Sequence, residues 1–172
     1  MQKLILFLGL FTTTLFTVPQ ANAQKGTAGI GLRATPDGGG FNVKAMMGKH
    51  LAFEGQLNAG GILSLPGESF TAVALLEGVI PLPDPSWRLF FGGGLHAGVW
   101  DNGWWYNERI NTWDNGARPI VGIDAIGGVE YLFKKIPLGL SADIKPAINF
   151  DNGGPYFFSH NMFGASARFY FR

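Results

Sequence analysis

The chain contains no cysteine among its 172 residues. This excludes disulfides, thiolate metal sites, a cysteine nucleophile and a lipidated N-terminal cysteine. Charge is sparse as well: 15% of residues are Asp, Glu, Lys or Arg and the formal net charge is +1. No global field therefore draws the chain to nucleic acid. Long apolar runs are missing beyond residue 23, where none approaches the roughly 20 residues of a helical membrane span. Yet 47% of the residues are hydrophobic, 14% are aromatic and 26 are glycine. A chain this apolar without helical spans points to strands that turn one face to lipid.

Residues 1–23 read as a cleaved secretory signal peptide. Lys3 supplies the positive start, Leu4 to Val18 the apolar run, and Ala21-Asn22-Ala23 the small-residue cleavage site. Residues 24–172 then form one domain, a length that suits a single core.

Within 24–172, eight segments of strand composition alternate with turn signals, at approximately 26–35, 40–48, 50–60, 69–81, 87–99, 118–132, 138–149 and 161–172. The connections Gly48-Lys49-His50, Pro83-Asp84-Pro85-Ser86 and Lys134-Lys135-Ile136-Pro137 are tight. The intervening ones are 36–39, 61–68, 100–117 and 150–160, and three of these are long. Short and long connections alternate, as in an all-β, eight-stranded antiparallel up-and-down transmembrane β-barrel. The tripeptide Asp-Asn-Gly starts at Asp101, Asp114 and Asp151, each time beside a long connection. Asn and Gly tolerate positive φ and Asp bonds its own backbone, so each copy predicts a turn.

Period-2 parity separates two faces. One is uncharged, as in Leu51, Phe53, Gly55, Leu57 and Ala59, or Trp87, Leu89, Phe91, Gly93 and Leu95. The other takes all the strand charges: Arg33, Lys44, Arg88, Lys145 and Arg168 against Glu54, Glu77, Asp124, Glu130 and Asp143. A soluble barrel would carry its charges outside; here they share the inner face, where an eight-stranded lumen has room for little beyond side chains. Five acids and five bases can pair there and offset their desolvation. His96 has the same parity and joins them. Nine inner-face glycines, Gly29, Gly31, Gly92, Gly94, Gly98, Gly122, Gly128, Gly139 and Gly164, remove bulk and leave a narrow water path open as an alternative. Pro146 falls inside the seventh strand, where its missing N–H predicts a bulge or an early strand end.

The last strand, NMFGASARFYFR, carries alternate aromatics up to Phe171 and resembles the signal that the outer-membrane assembly machinery reads. Over nearly all of 24–172 the chain resembles the small OmpA/OmpX-type outer-membrane barrels. The run RATPDGGGFNVKAMMGKHLAFEGQL looks like small barrels of Bacteroidota-type bacteria. The resemblance implies a bacterial outer-membrane location, with membrane lipid and the assembly machinery as partners.

The sequence offers residues for three kinds of site. Ser159, His160 and Asp151 lie near one rim, but neighbours in a strand point to opposite faces, which argues against a nucleophile–base pair and against an enzyme. Asp101, Asp114 and Asp151 offer oxygen ligands of the kind Ca²⁺ prefers, although turn chemistry explains the same residues. Trp100, Trp104, Trp105, Tyr106 and Trp113 suit either an interfacial aromatic girdle or stacking on sugars, and the girdle is favoured. No cofactor is implied. The expected role is envelope structure or surface interaction through 61–68, 100–117 and 150–160, with a narrow solute pore or a lipid-modifying enzyme as alternatives.

Overall fold

The computed structural model describes residues 28–36, 38–60, 70–107, 111–151, 154–157 and 162–171; the side chains of 100–107, 113–118, 151, 154 and 156 fall outside that description. Ten strand segments run in order as β1 (Ala28–Thr35), β2 (Gly38–Met46), β3 (Leu51–Gly60), β4 (Phe70–Pro81), β5 (Trp87–Asn107), β6 (Thr112–Leu132), β7 (Leu138–Ile144), β8 (Ala147–Asp151), β9 (Gly154–Phe157) and β10 (Phe163–Phe171). All pairings are antiparallel. β1 to β6 pair in sequence, β6 pairs with β7, β7 with β10, and β10 with β1, which closes the sheet. β7 with β8 makes one barrel strand and β9 with β10 another, giving a closed eight-stranded up-and-down barrel.

The stagger follows from the pairs. From Ala165 one route runs through Ala34, Gly39, Ala59, Phe70 and Val99 to Pro119, and the other through Ala142 to Val129. The two arrivals on β6 lie ten residues apart, a shear of ten. Over eight strands this tilts each strand by about 40° from the barrel axis.

The tight connections all close one end, where Met47 N–H donates to Leu51 O at 2.8 Å, Leu82 N–H to Trp87 O at 3.0 Å and Phe133 N–H to Leu138 O at 2.9 Å. In the middle turn Ser86 N–H also donates to the Asp84 carboxylate at 3.0 Å. That hydrogen bond, reinforced by Lys134 at 3.3 Å, holds the Asp84 carboxyl below its ordinary range. Residues 1–27, with the expected signal peptide, lie outside the described residues.

One long segment differs from the sequence reading. In segment 100–117, expected as a loop, β5 continues to Asn107 and β6 begins at Thr112, and the two pair as a long ribbon. Its first Asp-Asn-Gly marks a bulge: Asp101 pairs with Ala117 and Trp104 with Asn115, so two residues stand against one. The Asp-Asn-Gly tripeptides disguise this stretch, because turn chemistry inside a bulged strand looks like turn chemistry in a loop. At Pro146 the expected early strand end is met: β7 stops at Ile144 and the ladder resumes at Ala147 without a shift of register. Gly127↔Ile144 and Asp124↔Ala147 keep one register across the gap, and Ala125 N–H still donates to Pro146 O at 2.9 Å. On the other side of this chain segment the register does shift, from Ile144↔Phe163 to Ile148↔Phe157.

Burial follows parity throughout. Outward Leu32, Phe41 and Leu95 are 61%, 64% and 64% exposed, while inward Glu54, Glu77 and Arg168 are 0–1% exposed. Among the described strand side chains, no charged residue faces outward. The interior is not uniformly charged, however. Ala52, Val73, Leu75, Val79, Phe90 and Ile126 form an apolar cluster on the inner wall of β3 to β6.

Candidate functional site

The charged interior is built in tiers, read upward from the tight-turn end along β6, β7 and β10. At the bottom, Arg168 joins two acids: Nη2 donates to Glu54 Oε2 at 2.7 Å and Nη1 to Glu130 Oε1 at 3.0 Å and to Ser141 Oγ at 2.9 Å. Tyr170 Oη donates to the same Glu130 oxygen at 2.5 Å. Asn42, with its amide turned to suit its neighbours, accepts from Arg168 Nε at 2.9 Å. Gln56 Nε2 donates to Glu54 Oε1 at 2.8 Å. Lys44 Nζ lies 2.6 Å from Glu77 Oε2, 3.8 Å from Glu54 Oε2 and 3.9 Å from the centre of the Phe90 ring.

Above this cluster Arg33 grips Asp143 through both carboxylate oxygens, at 2.5 and 2.7 Å. The uppermost tier is Asp124, which takes Lys145 Nζ at 2.5 Å on one oxygen and His96 Nδ1 at 2.7 Å on the other. Nine of the ten residues expected in the charge network are buried; Arg88 is half-buried at the tight-turn end. Charges taken from water in this way are tolerable only when paired and hydrogen-bonded, and here the pairing spans strands remote in sequence.

The inner glycines act as sockets. A Cβ on Gly29 or Gly139 would meet the Tyr170 ring at 2.9 or 2.7 Å, one on Gly164 the Arg33 guanidinium at 2.1 Å, one on Gly122 the His96 ring at 2.3 Å, and one on Gly128 the Phe90 ring at 2.5 Å. The space that suggested a water path is thus filled at these positions by large side chains from the adjoining strand, which for Gly29, Gly122 and Gly128 belong to the directly paired residue. Tyr170, Asn42 and Phe90 are not singled out by the sequence, though their parity with Arg168, Lys44 and Arg88 is there to be read.

The second candidate is the ribbon of β5 and β6. The ladder of β4 on β5 ends at Phe70↔Val99 and that of β8 on β6 at Val121↔Phe150. Beyond them, among the described residues, β5 and β6 pair only with each other, so the ribbon extends eight residues past Val99, about 25 Å of strand. Trp100 pairs with Arg118, Trp104 with Asn115, Trp105 with Asp114 and Tyr106 with Trp113, so all five expected aromatics lie on it; their side chains are outside the description. At its far end Asn111 has φ 52°, a left-handed conformation that Asn tolerates. Ser159 and His160 lie outside the described residues, as does the Asp151 side chain. Among the described residues no three His, Cys, Asp or Glu come together as a metal site. No family model matches the chain, and no curated protein matches it.

Proposed function

We propose that this chain is an integral outer-membrane β-barrel without enzymatic activity, its lumen plugged by its own side chains, acting in envelope structure or surface interaction through the projecting β5–β6 ribbon. The observation that carries this reading is the inversion of polarity: an uncharged exterior around a buried charge network. In water that arrangement would expose a wide apolar surface, far beyond the few hundred Å² usual for a soluble monomer. In lipid it is the required one, since an outward Lys or Arg at mid-depth costs about 2–4 kcal/mol. Ten residues of β3 tilted by about 40° rise roughly 25 Å, the height of the apolar band on such barrels. At the tight-turn end Trp87 packs on Tyr131 (4.9 Å between ring centroids) and Tyr131 on Phe133 (5.0 Å), in the manner of an interfacial girdle.

A narrow pore is the second reading, favoured by one set of atoms. Arg33 Nε, Asn58 Oδ1 and both Glu77 oxygens are buried without an aligned hydrogen-bond partner, and such atoms are ordinarily served by water. Water held at isolated points fits a plug, whereas water in file fits a pore.

Protease treatment of intact cells tests the reading and its orientation. Cleavage is expected between Asn107 and Thr112, at the tip of the ribbon, leaving the barrel in the membrane fraction. Cleavage there only after the outer membrane is opened would invert the topology.

A further inference from the structure

We infer that the outer face of β6, β7 and β10 holds one acyl chain of a membrane lipid in a fixed groove; this rests on the membrane reading above. The groove has a volume of about 440 Å³ and lies over Gly127 and Ala142, walled by Val129, Ile144 and Phe163. Ile144 and Phe163, paired across β7 and β10, stand out from the surface at 52% and 56% exposure, and beside Ile144 its partner on β6, Gly127, leaves bare backbone. Asp143 contributes only its main chain, because its carboxylate is turned inward to Arg33. The lining therefore offers a guest dispersion contacts and no charge, which selects hydrocarbon over a headgroup.

Gly127 shows that the groove is not a by-product of packing. Its missing Cβ would meet nothing closer than Phe90 O at 4.0 Å, so the fold leaves room for a side chain there. A glycine inside a strand is otherwise unfavourable, and what its absence of side chain creates is the depth of the groove. A second copy of the chain is a poor occupant. Five outward residues on three strands fall far below the 20–30 residues per partner that a stable protein interface uses. One flexible chain needs no more than this.

The test uses the full-length barrel in phosphatidylcholine vesicles containing a small fraction of phospholipid with a diazirine on its acyl chain. After irradiation, peptides carrying Gly127, Ala142 and Phe163 are expected to be labelled severalfold more than those carrying Leu57 and Ala74 on the opposite wall. Gly127→Leu, and separately Ala142→Leu, should level the difference. Even labelling of all outward positions would overturn the groove and leave the membrane reading intact. Labelling of no strand would overturn the membrane reading itself. Rapid disulfide pairing between Ala142→Cys chains would place a second copy on the groove and overturn the lipid assignment.

Discussion

Replacing Arg168 with alanine is expected to destabilise the barrel by about 3–5 kcal/mol, the usual result of leaving buried charges without their partner. The side chain is 1% exposed and is the one cation touching both Glu54 and Glu130 among the described contacts. Without it Glu130 keeps Tyr170, and Glu54 keeps Gln56 and the more distant Lys44. Neither acid retains a full counter-charge at close range. Denaturant unfolding in vesicles measures the loss, and Arg168→Lys should recover part of it, since an ammonium cannot serve two carboxylates, Ser141 and Asn42 at once. Lys134→Ala is the control. Its ion pair with Asp84 is at least half exposed on both sides and screened by solvent, so the change should hardly register. A mild effect at Arg168 would mean that water already solvates the lumen, which favours the pore.

Gly94→Ala is expected to be as damaging by a different route. A Cβ there would lie 1.9 Å from Ala74 O and 2.8 Å from Leu75 Cα, both backbone atoms of the neighbouring strand. No rotamer relieves such a clash, because Cβ is fixed by the main chain. β4 would have to move, and with it Leu75 and Val73 of the inner apolar cluster. Overpacking a well-filled interior costs about 1–3 kcal/mol and more when backbone must shift, so a loss of about 3 kcal/mol or failure to form the heat-modifiable folded species on a gel is expected. Gly127→Ala, in the adjacent wall but outward, should be neutral or stabilising by about 0.5 kcal/mol. Equal effects at the two glycines would contradict the assignment of faces.

How much of this was legible beforehand depends on which physical signal each feature uses. The barrel was legible because parity is tested at every residue of every strand: Glu54, Glu77, Asp124 and Glu130 could only share a face if the strands ran as read. The same parity placed His96 beside the charges, and it lies on Asp124 at 2.7 Å. The pairings themselves were not legible. That Arg33 takes Asp143 while Arg168 takes Glu54 depends on a shear of ten, a sum over eight registers, and an error of two in any one would reassign partners. The ribbon was hidden for a local reason. Asp101-Asn102-Gly103 reads as the end of a strand, and only the pairing of Trp104 with Asn115 shows it as a bulge within one. The inner glycines read as empty space in the sequence, since what fills Gly164 is Arg33, from a strand distant in sequence.

The most direct test of the central claim compares chemically identical methyl groups on the two faces of the unmutated barrel in lipid nanodiscs. Leu95 and Ala74 face outward, whereas Leu75 and Ala52 face inward on neighbouring strands, at 1% and 0% exposure for the inward pair. Methyl NMR signals are recorded with a nitroxide carried on the lipid chains and, separately, with a water-soluble gadolinium chelate. The lipid-borne nitroxide is expected to broaden Leu95 and Ala74 strongly and to broaden Leu75 and Ala52 far less, while the water-soluble agent spares all four. Broadening of Leu95 and Ala74 by the water-soluble agent, with no response to the nitroxide, would show the apolar face in water and contradict the account.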